Sequence, residues 1–477
     1  MKIHLLQIPR LNDWYSWGLK EIQNLLVKLE QDVEVIDINH QLYKNFYKTK
    51  HWSEIEKFGI LGKGKLPMAN ITTLLENCIK KIKPGDIVLT CVFTVESRSW
   101  FKIIHSMLRL NLGQSVILGA GGNGTRDPGE KAFESVWADS ILQEGLCDIV
   151  FLGQAIDTIT HWVSENYIGR GKKYYQDRSF PKIGFIPPKL LRYDEATFAN
   201  DESYIPQDKH GQLKHRKDQK ARFDTKVVIH FTQGCVKKCS FCDVWKITPQ
   251  FVMRDPNEVL QEIDYYHKNM KIEKIQFADN MINASDSNFI KFLDIFYNWK
   301  VKNNQETLTW GSQLGVKPIR QQTKIMFELI AATNGHLITG FDHASDSVLT
   351  HMNKLYKWQD IEHFIARSHE HDITIGTALW LVGYPTETEH DFNEYHKLIK
   401  LNKSPNSIHS HMVIPVGINK GSPLEEMVTT TSEPNEWYNE HIDKNTRTRR
   451  KEYLDKALLD GDANLNYKNI VEIRAHR

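Results

Sequence analysis

Apolar and polar positions alternate along the first third of the chain in a pattern that predicts strands separated by helices. Short apolar runs predict the strands: KIHLLQI, VEVIDIN, GDIVLTCVF, SVILGAGG and CDIVFLG. Stretches with apolar residues at helical spacing lie between several of these runs, among them GLKEIQNLLVKLEQ and SWFKIIHSMLRLN. This alternation is typical of a parallel sheet with helices on both faces. We therefore predict an α/β, doubly wound domain over residues 1–168.

The pattern is lost between residues 169 and 224, a segment rich in proline and charge. We predict that this segment is a connector between two domains. Its basic run KHGQLKHRKDQKAR contains no aromatic residue among the charges. A nucleic-acid-binding stretch usually combines the two, so the run is better explained as a solvated loop.

Strand and helix patterns resume at Thr225 and continue through about six repeated units. The predicted strands include KVVIHFT, IEKIQFADN, TLTWGSQL, HLITGFD, ITIGTALWLVG and SIHSHMVIP. Such a series predicts a partial (β/α)6 barrel, similar to a TIM barrel, over residues 225–431, with the active site at the carboxyl ends of the strands. The polar residues 432–477, which include TRTRRKEY, predict a C-terminal helical appendage.

Composition and charge narrow the class of protein only slightly. The 477 residues are 40% hydrophobic and 25% charged, with a formal net charge of +2. A charge this close to zero gives no overall field that would attract nucleic acid or an anionic membrane. No apolar run approaches the ~20 residues that span a bilayer, and the N-terminus lacks the pattern of a signal peptide. We therefore expect a cytoplasmic protein with no membrane partner, and nucleic acid is not an expected partner.

Three cysteines lie close together in the stretch HFTQGCVKKCSFCDVW: Cys235, Cys239 and Cys242. The other cysteines are scattered, which fits a reducing compartment better than a disulfide framework. A structural zinc site or an electron-transfer iron–sulfur cluster usually takes four ligands, and His230 is the nearest histidine. Alternatively, three thiolates hold three irons of a cubane and leave the fourth iron open to a ligand. The cysteines alone leave these interpretations open.

The CxxxCxxC motif after the first strand of a parallel barrel resembles the radical S-adenosylmethionine (radical SAM) superfamily, and the resemblance covers roughly Thr225 to Glu426. It implies a 4Fe-4S cluster held by Cys235, Cys239 and Cys242, with S-adenosylmethionine on the fourth iron. It implies an enzyme in which one electron cleaves the sulfonium and yields a 5′-deoxyadenosyl radical that removes a hydrogen atom from the substrate. It also implies a one-electron reductant, such as a flavodoxin or ferredoxin, as a partner. It assigns no acid or base residue and no substrate.

Further segments match positions at which this family binds S-adenosylmethionine. The implied residues are Phe241 near the adenine, Asp279 and Asn280 for the amino group, Gln313 on the third strand, Ser345 on the fourth, and Gly376, Gly383 and Pro385 on the fifth. Two positions depart from the family's pattern. Gln313 stands where the family often has arginine or an acidic residue, and Asp342-His343 replaces the usual Glu-Ser pair.

A doubly wound domain before such a barrel resembles the cobalamin-binding class of the superfamily. The implied residues at the corrinoid are Gly119, Gly121 and Gly122 of a glycine-rich turn, with Thr94 and Ser97 at the same edge of the sheet. Ligands of such sheets bind outside the carboxyl ends of the strands. In this class the implied reaction is methyl transfer to an unactivated carbon, so the chain is expected to be a methyltransferase.

Alternatives to bound cobalamin remain open. The stretch IPRLNDWYSWGL lacks the histidine that ligates cobalt in many cobalamin domains. A radical SAM enzyme without cobalamin, in which the first domain only shapes the active site, is therefore one alternative. A non-catalytic metal-binding module is another, although such a module needs no barrel. The run GAGGNG is a poor dinucleotide motif, because it follows a late strand of the domain and not the first.

Overall fold

The structure is a computed structural model that describes most of the chain. The described residues are 1–9, 17–46, 51, 54–55, 58, 68–92, 97–126, 130, 134–153, 155–167, 171–175, 226–242, 244–247, 251–270, 272–418, 422–430 and 437–460. The chain divides into two compact units, Met1–Thr225 and Lys226–Arg477. Within the described part of the chain, no helix is both long and apolar enough to cross a membrane.

The first unit is built on six parallel strands in the order β2-β1-β3-β4-β5-β6. The strands are β1 (Ile3–Gln7), β2 (Val33–Asp37), β3 (Ile87–Cys91), β4 (Ile117–Gly121), β5 (Ile149–Leu152) and β6 (Lys172–Tyr175). The helices are α1 (Trp17–Lys28), α2 (Ile38–Phe46), α3 (Met68–Ile79), α4 (Arg98–Leu112), α5 (Val136–Gln143) and α6 (Ala155–Ser164), with 3₁₀ turns at Gly113–Ser115 and Asn123–Thr125. The predicted doubly wound fold is confirmed, and its winding reverses between β1 and β3.

Two apolar clusters cover the two faces of this sheet. One includes Trp100 and Phe101 of α4, and the other includes Leu25 of α1 and Trp162 of α6. The central strands are therefore buried on both faces. Strands in this position are continuous apolar runs, which is why the sequence pattern identifies them so clearly.

The sheet extends beyond the domain boundary that the sequence predicts at residue 168. β6 lies inside the predicted connector 169–224 and pairs in parallel with β5. Its two lysines are exposed, and Tyr174 stacks on Phe151 of the neighbouring strand. Lysine is common on edge strands because it discourages pairing with another chain. An edge strand of this composition has no apolar run, so the sequence pattern does not reveal it.

The second unit is built on six parallel strands in the order β14-β13-β12-β11-β10-β7. The strands are β7 (Lys226–Ile229), β10 (Lys274–Phe277), β11 (Thr309–Gln313), β12 (Gly335–Asp342), β13 (Thr374–Val382) and β14 (His411–Pro415). Two short hairpins accompany them: β8 (Thr232–Gln233) with β9 (Val252–Met253), and β15 (Thr429–Thr430) with β16 (Trp437–Tyr438). Because β7 and β14 are the two ends of this order, the sheet is a partial barrel, as predicted.

Helices follow these strands and form the outer layer of the partial barrel. The helices are α7 (Val244–Ile247), α8 (Pro256–Met270), α9 (Asp286–Lys302), α10 (Lys324–Ala332), α11 (Asp346–His351), α12 (Trp358–Glu370), α13 (Glu389–Asn393), α14 (His396–Asn402) and α15 (Lys444–Asp460), with 3₁₀ turns at Ile319–Gln321 and Pro423–Met427. Phe277 of β10 and Trp310 of β11 contact each other and the phenylalanines of α9. Their strand neighbours Gln276 and Gly311 therefore face the barrel interior, since successive side chains of a strand point to opposite faces.

The segment predicted as a C-terminal appendage contributes a helix to the barrel itself. α15 packs against the last two strands, β13 and β14. At its end, Asn402 Nδ2 of α14 donates a hydrogen bond to the Leu458 carbonyl oxygen (3.0 Å). α15 therefore occupies the place of the helix that follows β14 and completes the sixth strand–helix unit.

Arg450 of α15 lies in the interior beside Glu387, which is fully buried in the turn after β13. Arg450 Nη1 donates to Glu387 Oε1 (2.9 Å), and Arg450 Nη2 donates to Glu389 Oε1 (2.6 Å). The other oxygen of Glu387 accepts the backbone N–H groups of Gly383 (2.6 Å) and Tyr384 (3.0 Å). One buried carboxylate therefore holds the turn, and a residue of α15 compensates its charge.

His105 of α4 is fully buried in the first unit. Its Nδ1 lies 2.9 Å from the Leu146 carbonyl oxygen, and its Nε2 lies 2.8 Å from the Thr90 hydroxyl. A carbonyl only accepts, so Nδ1 carries the proton and Nε2 accepts from Thr90. Burial lowers the pKa of His105 from 6.5 to about 3, more than the contact with Leu146 raises it. The imidazole is therefore neutral in the folded protein at physiological pH.

We expect the Arg450→Met variant to lower the free energy of unfolding of the second unit by about 3–5 kcal/mol, because the buried Glu387 then lacks its cation. Urea denaturation measures this difference. Arg449→Met is the matched control, since this neighbour is only half-buried, and its effect should stay within about 0.5 kcal/mol. Equal effects of the two substitutions would contradict a specific role of the buried pair.

We expect the first unit to lose stability as the pH falls from about 6.5 towards 3. In that window the unfolded chain binds a proton at His105 that the folded state does not, so folding becomes less favourable by up to about 4 kcal/mol. The measurement is urea denaturation at several pH values for the wild type and for His105→Gln. The variant should have a smaller slope of unfolding free energy against pH, and an unchanged slope would contradict the assignment.

Candidate functional site

The three clustered cysteines lie on a loop that leaves the carboxyl end of β7, the first strand of the barrel. The loop is closed at its base by the β8–β9 hairpin, in which Thr232 pairs with Met253 and Gln233 with Val252. Gly234 begins it with a φ of 76°, in the left-handed region that glycine adopts without strain. The tight turn and the hairpin base hold the loop that carries all three thiols at the carboxyl end of β7.

The thiols differ in exposure: Cys239 is buried, and Cys235 and Cys242 are half-buried. No disulfide joins any of the described cysteines. The Cys242 N–H donates to the Cys239 carbonyl oxygen (3.1 Å), and Trp245 Nε1 donates to the same oxygen (3.3 Å). These bonds make the CSFC half of the motif a compact turn.

Among the described residues, no group of three or more Cys, His, Asp or Glu side chains converges closely enough to hold a metal ion as it stands. Cys235, Cys239 and Cys242 would therefore have to rotate their side chains to share one. Their chemistry fits an iron–sulfur cluster, because thiolates are the ligands that such clusters take. Ligation by the three thiols stays a prediction.

The cysteine loop rests on the segment that follows α11. The Ser240 N–H donates to the Met352 carbonyl oxygen (3.2 Å), and Asn353 Nδ2 donates to the Lys238 carbonyl oxygen (2.7 Å). The Ser240 hydroxyl also lies 2.8 Å from the Tyr384 hydroxyl. The turn after β13 and the end of α11 therefore both support the residues between the second and third cysteines.

A second buried ion pair lies directly under this loop. Lys354 Nζ pairs with the Asp342 carboxylate, and Asp342 Oδ2 also accepts the Tyr356 hydroxyl (2.9 Å). Burial by itself lowers the pKa of Lys354, but Asp342 and its other neighbours raise it well above its usual value. The ammonium therefore stays charged, 5.0 Å from the centre of the Phe241 ring.

Lys354 also acts on the second cysteine. Burial raises the pKa of the Cys239 thiol, and the Lys354 charge, with a hydrogen bond from its side chain, acts in the opposite direction. A fixed cation beside a thiol favours the thiolate that a metal needs. Lys354 is not among the site residues that the family resemblance implies.

The two residues predicted for an amino group have different surroundings. The buried carboxylate of Asp279 accepts the Phe231 N–H (3.2 Å) and the Thr232 N–H. Burial raises the pKa of Asp279, against the effect of these hydrogen bonds. Its side chain therefore supports the backbone that enters the cysteine loop. Asn280, the next residue, is exposed at the end of β10.

Two predicted positions, one at the carboxyl end of β11 and one near the start of β13, leave space for a ligand. Gln313, the last residue of β11, is exposed. Gly376 is half-buried on β13, and a Cβ built on it would meet only the Leu337 carbonyl oxygen, at 3.6 Å. The backbone at Gly376 is therefore accessible beside the strand, in keeping with its predicted place near an adenine.

Ser345 and His343 are occupied inside the protein. The Ser345 hydroxyl donates to Asp391 Oδ1 (2.6 Å), and the Ser345 N–H donates to His343 Nδ1 (2.9 Å). His343 is fully buried, and its Nε2 lies 3.3 Å from Glu387 Oε2. Because Nδ1 accepts a hydrogen bond, the ring proton lies on Nε2 and faces Glu387. Both side chains therefore stabilise the loop after β12 and the turn after β13.

Gly383 and Pro385 lie in that turn, and their contact with S-adenosylmethionine stays a prediction. Gly383 has a φ of 72°, and a Cβ built on it would lie 2.4 Å from the Cγ of Arg447 in α15. The Pro385 carbonyl oxygen accepts a hydrogen bond from Asn439 Nδ2 (2.8 Å). Glycine is required at 383 both by its backbone conformation and by the close approach of α15.

Two candidates of the first unit, Gly121 and Gly122, lie at the carboxyl end of β4. Gly119 lies in the middle of β4, where a Cβ would meet Leu89 Cδ2 at 2.6 Å, so its lack of a side chain serves packing within the sheet. Gly121 is the last residue of β4. Gly122 follows with a φ of 104°, and a Cβ built on it would clash with the Val92 carbonyl oxygen. Ser97 is buried at the start of α4. Thr94 lies outside the described residues.

A comparison with protein families gives a match within the second unit. Residues 229–399 match the family model "Radical SAM superfamily". Curated relatives include the ribosomal protein uS12 methylthiotransferase RimO of Desulfotalea psychrophila, 26% identical over 204 residues that cover 41% of this chain and 44% of the relative. The anaerobic magnesium-protoporphyrin IX monomethyl ester cyclase of Rubrivivax gelatinosus is 26% identical over 173 residues, 36% of this chain and 30% of the relative. The chain thus spans less than half the length of either relative.

Solved structures resemble the chain over both units. The radical S-adenosylmethionine methyltransferase TsrM from Kitasatospora setae, with cobalamin and a [4Fe-4S] cluster bound, is 14% identical with a TM-score of 0.59, covering 89% of this chain and 74% of TsrM. The cobalamin-dependent radical enzyme OxsB, with aqua-cobalamin and S-adenosylmethionine bound, is 11% identical with a TM-score of 0.61, covering 94% of this chain and 66% of OxsB. At this identity the likeness shows a shared fold. Residues 229–399 therefore match the radical SAM superfamily, and the folds of both units resemble those of TsrM and OxsB.

Proposed function

We propose that the chain is an enzyme that cleaves S-adenosylmethionine reductively at a 4Fe-4S cluster held by Cys235, Cys239 and Cys242. The observation that carries this proposal is the arrangement of three thiols on one short loop, at the carboxyl end of the first barrel strand, above a buried cation. When bound, the cluster supplies one electron to the sulfonium, which yields methionine and a 5′-deoxyadenosyl radical.

The chain's own residues bind and orient the reactants. Lys354 places a fixed positive charge beside the second cysteine, where it stabilises thiolate ligands and offers a partner to a carboxylate of S-adenosylmethionine. The exposed Asn280 and Gln313 offer hydrogen bonds at the ends of β10 and β11. Gly376 leaves the backbone of β13 open to a flat ring. Glu387 fixes the turn that supports the loop through Tyr384.

The inner wall formed by β12, β13 and β14 suits a reaction at an unactivated carbon. In register, Leu379 pairs with Met412 and Leu381 with Ile414. Met412 and Ile414 are 49% and 38% exposed, and they face away from the helix layer that Val413 contacts. Uncharged side chains at these positions can bind apolar parts of a substrate and exclude water.

We further propose that the first unit binds cobalamin and that the reaction is a methyl transfer. Cobalamin supplies a carrier of the methyl group when it is bound. Support comes from the doubly wound fold, from the position of Gly121 and Gly122 at the carboxyl end of β4, and from the cobalamin bound in TsrM and OxsB. A radical SAM enzyme without cobalamin is the alternative, and the methylthiotransferase relatives favour attachment of a methylthio group as its reaction. The mass of the product separates the two, since a methylthio group adds sulfur.

We expect Cys239→Ala to lose the cluster and the release of 5′-deoxyadenosine together, because two thiolates cannot hold three irons. Iron and sulfide analysis after anaerobic reconstitution, and mass spectrometry of nucleoside products with dithionite as reductant, measure the two losses. Cys147→Ala is the matched control, since Cys147 is buried within the first unit and is not part of the CxxxCxxC motif. A wild-type protein that binds zinc and no iron would refute the proposal.

We expect the wild type to retain about one equivalent of cobalamin after anaerobic incubation with hydroxocobalamin, seen as corrinoid absorbance after gel filtration. Gly121→Leu should lower the retained amount several-fold, because a side chain would then project from the end of β4. The fold tolerates a Cβ there, whose nearest neighbour is the Phe151 carbonyl oxygen at 3.5 Å. Leu110→Ser, on the exposed side of α4, is the control and should retain cobalamin as the wild type does.

A further inference from the structure

Three segments form one continuous face around the cysteine loop: residues 235–240, 316–321 and 351–357. Asn353 of the third segment bonds to the backbone of Lys238 in the first, at 2.7 Å. Lys237 Nζ donates to the Val316 carbonyl oxygen of the second segment (2.9 Å) and lies 4.7 Å from the centre of the Tyr356 ring. We call these three segments the cluster face.

Charge within the three segments is of one sign, and one carboxylate from outside them, Asp360, accepts the N–H groups of Ile319 (2.8 Å) and Lys357 (2.7 Å). The three segments contain six basic residues and no acidic one: Lys237, Lys238, Lys317, Arg320, Lys354 and Lys357. Asp342 compensates Lys354 from below, and Asp286 pairs with Lys317. Lys238, Arg320 and Lys357 are exposed, and no ion pair within the described residues involves them. Three cations therefore project from this face into solvent.

Apolar side chains are exposed among these cations. Val236 is 49% exposed between the first two cysteines, and Leu355 is 71% exposed beside Lys354. Ile319, in the second segment, is 36% exposed. Single exposed apolar side chains are common, but three on adjoining segments that touch one loop suggest a binding surface.

We propose that the cluster face is the docking site of an acidic one-electron carrier protein, an inference that rests on the proposed function. The cluster must receive one electron from outside, and the reduced carrier loses one electron as the cluster gains it. Val236 and Lys238 lie between the cysteines that hold the cluster, so a carrier bound here approaches it closely. A small apolar centre within a rim of one charge is typical of transient protein interfaces, which form quickly through complementary charge.

Nucleic acid is a less suitable occupant of the cluster face. Proteins that bind single-stranded nucleic acid stack bases on exposed aromatic side chains. The single aromatic residue of the three segments, Tyr356, is buried with its hydroxyl on Asp342. The exposed side chains at the centre of the face are aliphatic, and they suit a protein partner.

The test compares two ways of reducing the enzyme. Reconstituted protein is reduced either by dithionite, which needs no docking site, or by a reduced flavodoxin, and 5′-deoxyadenosine release is measured. We expect Lys238→Glu combined with Lys357→Glu to lower the flavodoxin-driven rate about tenfold or more at low salt and to flatten its dependence on ionic strength. The dithionite-driven rate should not change.

Lys302→Glu combined with Lys403→Glu is the matched control. It changes the net charge equally, and both lysines are exposed at the carboxyl ends of helices α9 and α14. Helices of a (β/α) barrel run antiparallel to the strands, so these lysines lie at the other end of the barrel. The control variant should be reduced by flavodoxin as fast as the wild type.

A direct binding measurement separates docking from catalysis. Surface plasmon resonance with immobilised oxidised flavodoxin should give an affinity about tenfold weaker for the cluster-face variant and unchanged for the control. Leu355→Ser should weaken binding without changing its salt dependence, since it alters only the apolar centre.

Several outcomes would overturn the inference. If the cluster-face variant and the control variant respond alike to flavodoxin, the carrier docks elsewhere. If the cluster-face variant loses affinity for a test RNA while flavodoxin still reduces it normally, the face binds nucleic acid. Failure of the wild type to release 5′-deoxyadenosine with dithionite would refute the proposed function itself, and that result is distinct from both.

Discussion

The buried ion pair between Glu387 and Arg450 is the interaction that links the turn after β13, α15 and the cysteine loop of the second unit. Removing a charge from water costs several kcal/mol, and a protein keeps such a charge only where partners surround it. Here the partners are Arg450 of α15 and two backbone N–H groups of the turn after β13. Tyr384 of that turn reaches Ser240, which lies between two of the clustered cysteines. A helix near the C-terminus thereby sets the position of a loop more than two hundred residues earlier in the sequence.

The Asp342–Lys354 pair plays the complementary part on the other side of the loop. It lies in the same apolar surroundings, and Tyr356 satisfies a further lone pair of its carboxylate. Unlike Arg450, Lys354 also acts on a cysteine and on Phe241, so its charge belongs to the site itself. The Glu387–Arg450 pair thus holds the backbone that supports the cysteine loop. The Asp342–Lys354 pair places a positive charge beside that loop. Preorganisation of this kind spares the site the cost of reorganising when a charged ligand binds.

Sequence reasoning identifies the features that depend on local pattern. Buried parallel strands and the cysteine spacing are visible in consecutive residues, and so are Gly383 and Pro385 in their turn. It misses β6, whose exposed lysines hide an edge strand, and the place of α15 in the barrel. It also cannot show that Asp279 and Ser345 are occupied by partners in the protein, or that Glu387 pairs with Arg450, because these contacts join residues 46 to 63 positions apart. Only the folded chain brings such polar groups together.

The inner wall of the barrel and the cluster face differ in charge, and the region from β12 to α11 lies between them. Inside the barrel, Met412 and Ile414 of β14 present uncharged side chains. Outside, the cluster face concentrates cations that attract an anionic partner over a distance of about 10 Å before salt screens them. The stretch HMNKLYK serves both surfaces, since Lys354 turns inward to Asp342 while Leu355 and Lys357 project outward. If the proposed function holds, this one short segment therefore borders both the place where the electron arrives and the place where it is used.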